Sequence, residues 1–281
     1  MSVQLKEITI AHSPDSDDAF MFYAIANNKL DTKGLKINQA MKDIQSLNLD
    51  AINKRFEVTA ISFAAYPSVC KDYALTTCGA SMGYKYGPIV VAKKAMSDEE
   101  LKSATIAIPG KLTSAWLTLQ LFQSGLAVVE YPFDKILDAV INDEVDAGLL
   151  IHEGQLTYGS HGLKKIVDLG EWWYDLTSLP LPLGGNVVRK DLGQDLMKDV
   201  TRIFRSSIVY SLEHRAEALE YALTFARDMP EKLADKFVGM YVNELTVDCG
   251  ESGRKAVETL FRMAYEKGIL KEPITVEWVD A

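Results

Sequence analysis

Four short segments of the chain set imidazole, hydroxyl or carboxylate groups directly behind β-type runs. The sharpest is His152-Glu153-Gly154-Gln155, which follows the mostly apolar run Val145–Ile151. A strand from the middle of a sheet delivers His152 to its C-terminal edge, where α/β sheets hold their ligands, and Gly154 loosens the turn behind it. An unperturbed imidazole titrates near pH ~6.5, so it can act as base or acid at neutral pH. The same position also suits a ring bonded to loop backbone.

Pro109-Gly110-Lys111-Leu112-Thr113-Ser114 joins a strand to a helix. Gly110 permits a tight turn. The Thr113 and Ser114 hydroxyls, with the N–H groups of the helix start, suit a carboxylate or a simple cap. The phosphate-cradling G-x-x-x-x-G-K-[ST] spacing is not matched. Ser62 follows Val58–Ile61 and can serve as an N-cap or a ligand hydroxyl; G-x-S-x-G is absent.

The remaining segment is His12-Ser13-Pro14-Asp15-Ser16-Asp17-Asp18. Asp15 or Ser16 can cap the next helix, with Asp17 and Asp18 in its first turn, or the loop can contact substrate. Sequential aspartates in one turn splay apart, which argues against a metal. Gly79, Gly83 and Gly87 recur before Pro88 with no helix behind them, so they read as a flexible loop before a hinge rather than a dinucleotide motif. Glu171-Trp172-Trp173-Tyr174 is either core or a cover for a planar ligand.

The elements that position these groups alternate. Glu7–Ala11, Leu35–Met41, Val58–Ser62, Tyr73–Cys78 and Pro88–Ala92 read as strands, with helices at Ala19–Asn27 and Asp43–Lys54. A second cycle opens at the capping-box match Ser97-Asp98-Glu99-Glu100. Strands Thr105–Ile108, Ala127–Tyr131 and Val145–Ile151 then alternate with helices Ser114–Gln123 and Phe133–Asn142. From Leu192 onward helices dominate: Leu192–Ser211, Glu213–Arg227, Glu231–Tyr241 and Ser252–Lys267.

Gly87-Pro88-Ile89-Val90-Val91-Ala92-Lys93-Lys94 and Gly185-Asn186-Val187-Val188-Arg189-Lys190 echo one another on either side of that second cycle. Placed side by side they would be two crossing strands between lobes. The expected fold is therefore α/β and type II periplasmic-binding-protein-like: two α/β lobes joined by two crossing strands, with a helical C-terminal part. Residues 1–92 and 186–281 would form the larger lobe and 93–185 an inserted smaller one, with the ligand cleft between them.

Composition limits the partners. Of 281 residues, 48% are apolar and 25% charged, enough for a full core. Thirty Lys+Arg against 39 Asp+Glu give a formal charge of −9, which repels nucleic acid and anionic membranes. No run approaches the ~18 apolar residues of a membrane span. The opening Met1-Ser2-Val3-Gln4-Leu5-Lys6-Glu7 has no basic or apolar leader, so a cytoplasmic location is expected. Cys70, Cys78 and Cys249 are scattered and odd in number, and read as reduced, partly buried thiols. No metal or cofactor motif is present, and the sequence leaves the oligomeric state open.

Several motifs jointly resemble the 1,4-dihydroxy-6-naphthoate synthase family of menaquinone biosynthesis. They are Ser13-Pro14 with Asp17-Asp18-Ala19-Phe20, Asp43-Ile44-Gln45-Ser46-Leu47-Asn48, Ile61-Ser62-Phe63-Ala64-Ala65-Tyr66, Gly87-Pro88 and Ile151-His152-Glu153-Gly154. The resemblance covers most of the first 190 residues. It implies a cofactor-free lyase of the futalosine route that converts cyclic dehypoxanthinylfutalosine to 1,4-dihydroxy-6-naphthoate. His152 would be the general base, Ser62, Thr113 and Ser114 would line the cleft, and Asp17, Asp43, Gly87 and Glu153 would be further substrate-binding positions. The first loop departs from the family's Ser-Pro-Cys-Pro-Asn-Asp opening at Asp15 and Ser16. A non-catalytic carboxylate-binding protein and the sister enzyme chorismate dehydratase share the fold; the Ile151-His152-Glu153-Gly154 segment favours the synthase.

Overall fold

The alternation of β-branched and amphipathic runs resolves into two parallel-cored sheets. The computed structural model describes residues 7–152, 154–225 and 230–281. In chain order, β1 (Glu7–His12), α1 (Ser16–Ala26), β2 (Lys36–Met41), α2 (Ile44–Ile52), β3 (Val58–Ser62), α3 (Tyr66–Val69), β4 (Tyr73–Thr76) and β5 (Ser81–Gly83) come first. Next follow β6 (Ile89–Ala92), α4 (Asp98–Ser103), β7 (Thr105–Ile108), α5 (Ser114–Phe122), β8 (Ala127–Glu130), α6 (Ile136–Ile141), β9 (Ala147–Leu150), α7 (Gly154–Thr157), β10 (Lys164–Asp168) and α8 (Leu169–Thr177). The chain continues through β11 (Leu181–Arg189), α9 (Gln194–Glu213), α10 (Arg215–Leu223), α11 (Glu231–Tyr241), α12 (Glu244–Val247), α13 (Gly250–Glu266) and β12 (Trp278–Val279).

These elements fall into two units. One comprises Met1–Ser81, Gly184–Glu251 and Thr275–Ala281; the other comprises Met82–Leu183 and Ser252–Ile274. The first unit carries a seven-stranded sheet in the order β12-β4-β11-β3-β1-β2, with β5 paired to β11. The second carries a five-stranded sheet in the order β10-β6-β9-β7-β8. Helix α13 thus lies almost wholly in the second unit, whereas the sequence boundaries put everything after residue 186 in the larger lobe.

The two Gly-led echoes are not neighbours. β6 sits between β9 and β10 in the second sheet, and β11 sits between β3 and β4 in the first. The chain passes between units at Ser81–Met82 and Leu183–Gly184, within the paired strands β5 and β11. A β-branched run makes a strand but does not choose its partner, which is why the echo misled.

Local physics accounts for the elements around the site. Every residue of α1 from Ser16 to Ile25 is buried; from Ala19 onward the sequence is apolar on all sides, as a buried helix requires, and the polar first turn is buried with it. Phe22 stacks between His12, at 4.3 Å, and Phe204 of α9, at 4.5 Å. The capping box at α4 is formed: Ser97 N–H donates to Glu100 Oε2 at 2.7 Å, and Glu100 N–H donates to Ser97 Oγ at 3.3 Å. In the second unit Ile89, Val91, Ala107, Ile136 and Val140 are among the buried residues of one core. Cys78 and Cys249 are buried free thiols, and burial pushes the Cys78 thiol up to about 12. Among the described residues no helix is long and apolar enough to cross a membrane.

Candidate active site

Register places the candidate residues on one edge of each sheet. In the first unit β1 runs parallel to both β2 and β3, and β11 meets β3 with Gly184 opposite Ser62. The C-terminal ends of β1, β2 and β3 therefore share an edge, which carries His12, the turn into Asp43, and Ser62. Helices α1 and α2 begin there, so their N-terminal ends face the same side.

Ser62 ends β3 and is buried. Its N–H donates to Asn48 Oδ1 at 2.8 Å, and its Oγ accepts from Asn48 Nδ2 at 3.2 Å. Asp43 is the N-cap of α2, with one carboxylate oxygen accepting from Ser46 N–H at 3.0 Å and the other from Ser46 Oγ at 2.6 Å. Capping thus engages both oxygens of Asp43.

The first loop is organised differently from a simple cap. Asp15 holds the N-cap position of α1 but makes no side-chain cap bond. Its carboxylate instead accepts from Ser13 Oγ at 2.8 Å, while Asp18 reaches back to accept from Ser13 N–H at 2.8 Å. Asp17, in the first turn, is buried with them. Burial raises the Asp18 carboxyl above the usual carboxylate range, against the weaker pull of His12 and the Ser13 N–H. His12 is fully buried and donates Nδ1–H to the Ser13 carbonyl at 2.7 Å. Among the described residues no group of three His, Cys, Asp or Glu side chains is placed to hold a metal ion.

The second sheet repeats the plan. β7 and β9 are parallel, and β6 runs antiparallel to β9 with Ile89 opposite Leu150. β10 runs antiparallel to β6 with Asp168 opposite Ile89. One edge therefore gathers the loop after β7, the turn after β9, the loop before β6 and the start of α8. Thr113, Ser114, His152 and Gly87 all belong to that edge.

Thr113 is the N-cap of α5. Its hydroxyl accepts from Trp116 N–H at 3.3 Å and donates to the Gly110 carbonyl at 2.7 Å, and Ser114 is the buried first residue of the helix. His152 occupies the turn after β9 with φ +54°, in the left-handed region. Its ring meets Phe133 edge-on, with centroids 4.8 Å apart. Glu153, the other acid–base candidate of this turn, lies outside the described residues. Gly87 packs so closely on α8 that a Cβ there would stand 3.0 Å from Gly170 N.

Sequence reasoning passed over Asn48 as a working residue. An asparagine inside an amphipathic helix reads as solvated until its complete burial is known. In the aromatic run, Trp173 is core and donates Nε1–H to the Pro180 carbonyl at 3.0 Å, whereas Tyr174 reaches the surface side.

Comparisons define the class first. A Candida albicans protein, described as having the generic periplasmic-binding-protein fold, superposes with a TM-score of 0.68 at 14% identity, covering 95% of this chain and 92% of that one. The chain has a periplasmic-binding-protein-like α/β fold. A solved structure from Archaeoglobus fulgidus is nearer: TM-score 0.90 and 45% identity, covering 94% of this chain and 98% of that one. A protein of Thermus thermophilus named 1,4-dihydroxy-6-naphtoate synthase is 36% identical over 94% of this chain and 96% of its own length. The sequence model of the menaquinone-biosynthesis family matches residues 8–266, and this chain belongs to that family.

Proposed function

We propose that this protein converts cyclic dehypoxanthinylfutalosine to 1,4-dihydroxy-6-naphthoate, with His152 as general base. The observation that carries the reading is the turn after β9, which sets His152 on the same sheet edge as Thr113 and Ser114. The relative named for this activity supports it.

In this mechanism the His152 imidazole removes a carbon-bound proton, and the electron pair left behind expels the sugar-derived fragment. Aromatisation of the bicyclic ring supplies driving force, so one positioned base can contribute about 10²–10⁴-fold. The α5 start at Thr113 and Ser114, on the His152 edge, orients the substrate and contributes by holding it in a reactive geometry. The reading entails a small-molecule partner, no nucleic acid, and a cytoplasmic site of action.

The test is to incubate purified protein with cyclic dehypoxanthinylfutalosine and follow 1,4-dihydroxy-6-naphthoate by mass-resolved chromatography. Product from wild type, and turnover lower by about 10²–10⁴-fold from His152→Asn, is expected. Substrate bound but unchanged by wild type would replace the reading with a binding protein, and wild-type rates from His152→Asn would remove the base.

A further inference from the structure

The edge of the second sheet that carries His152 also carries groups the proposed chemistry does not use. Tyr84 and Lys85 lie in the loop between β5 and β6, and both are exposed, Tyr84 by 53%. The Tyr84 hydroxyl lies 3.1 Å from the hydroxyl of Tyr174 on α8, with ring centroids 5.0 Å apart at 65°. The Lys85 ammonium stands 4.6 Å from the centre of the Tyr174 ring, and no carboxylate among the described residues pairs with it.

This loop is built to hold its shape. A Cβ on Gly170 would fall 1.9 Å from the Tyr86 carbonyl oxygen, and one on Gly83 would fall 2.0 Å from the same atom. The loop backbone thus lies directly on the start of α8, with no space for a side chain between them. Lys85 itself is held at φ +61°, a conformation that glycine adopts freely, that asparagine and aspartate tolerate, and that strains a lysine. Of the seven non-glycine residues in this region among those described, Asn28, Lys54, Asp143 and Ser178 follow helices and Lys33 sits in a turn. The two that remain, Lys85 and His152, stand on this one edge. Backbone strain retained on the same sheet edge as a candidate base points to function.

A ring pair of one exposed and one half-buried tyrosine beside an ammonium with no carboxylate partner matches a flat aromatic molecule carrying one carboxylate. Phosphate alone would leave the rings unused, and a neutral aromatic would leave the charge unused. The Thr113 hydroxyl is already spent in both directions on its cap, so the ammonium is the better seat for an anion. We infer that Tyr84, Tyr174 and Lys85 form an aromatic-acid subsite on the His152 edge, in which the rings hold a bicyclic aromatic plane and Lys85 holds its carboxylate. The inference rests on the proposed activity only for naming the naphthoate skeleton as that plane.

Calorimetric titration of the full chain with 2-naphthoate and with uncharged 2-naphthalenemethanol tests the subsite. Wild type is expected to prefer the acid by about tenfold, the discrimination of one charge-assisted contact. Lys85→Met and Lys85→Gly should both erase that preference, and Tyr84→Leu should weaken both ligands. Lys85→Gly should also raise Tm, because glycine is at ease at this φ. Loss of preference with a higher Tm separates ligand recognition from damage to the fold. No binding of 2-naphthoate by wild type, equal binding of the two probes, or a preference that survives in Lys85→Gly would each overturn the subsite. Turnover judges the activity separately: a wild-type preference for the acid without product from cyclic dehypoxanthinylfutalosine sinks the activity and leaves the subsite standing.

Discussion

Asn48 and Ser62 lock together through a reciprocal pair of hydrogen bonds, so that helix α2 is fastened to the end of strand β3 by its one buried amide. Replacing Asn48 with leucine keeps the branched four-atom outline of the side chain but strands the Ser62 N–H inside the protein. An orphaned buried donor costs about 1–3 kcal/mol. The urea midpoint of Asn48→Leu should fall accordingly; an unchanged midpoint would mean that Ser62 finds another acceptor.

The backbone at His152 decides which substitution is informative. Asparagine is at home in the left-handed region, while a β-branched residue there is a true outlier. His152→Asn should therefore keep the wild-type Tm and His152→Val should lower it. Both should lose about 10²–10⁴-fold in turnover, since both lack the base. Comparing the two Tm values and the two rates separates chemistry from strain, and a Tm loss in the asparagine variant equal to that in valine would contradict the backbone argument.

Asp18 gives a pH dependence with a definite sign. Its folded pKa is raised, chiefly by burial, so the folded state holds this proton more tightly than the unfolded chain does. Its stabilising contribution is complete below pH about 4, where the unfolded group titrates, and is lost as the pH rises through the folded value. Asp18→Asn retains an acceptor for the Ser13 N–H and removes the charge. The variant should gain on wild type as unfolding is measured from about pH 4 towards pH 8. Parallel pH profiles for the two proteins would show that Asp18 carries none of this dependence.

Gly170 and Gly159 form a matched pair of opposite expectation. A methyl group on Gly170 would run into the Tyr86 carbonyl, while nothing lies within 4 Å of the position it would take on Gly159. Gly170→Ala should lose about 1–3 kcal/mol, the usual cost of overpacking. Gly159→Ala should unfold at the wild-type denaturant concentration. A Gly170→Ala protein of undiminished stability would mean that the loop before β6 can lift off α8.

Much of this was legible in the residues because local and global demands agree. Strands β1, β3 and β7 are short β-branched runs, and the capping box of α4 announces itself in Ser97 and Glu100. His152 could be placed at a strand end because Ala147–Ile151 before it carries no polar side chain. What stayed hidden was set by distant partners. β10 reads Lys-Lys-Ile-Val-Asp, and the charges that protect an edge strand also disguise it. Helix α8 was visible only as an aromatic cluster until Asp168 was seen to cap it, accepting from Gly170 N–H at 2.9 Å. Helix α13 is strongly amphipathic, yet an apolar stripe does not say which of two cores it will cover.

The boundaries of the two units have a consequence for how the protein is made. The chain changes unit at residues 81–82, 183–184, 251–252 and 274–275, so neither unit is one continuous stretch. A ribosome emitting this chain releases all of the second sheet before α13, and all but one strand of the first sheet long before β12. Until residues 252–281 emerge, the nascent second unit lacks a helix and β4 presents a bare strand edge. Completion of both units is thereby tied to the emergence of residues 252–281, and a chain stalled before them would hold neither in finished form.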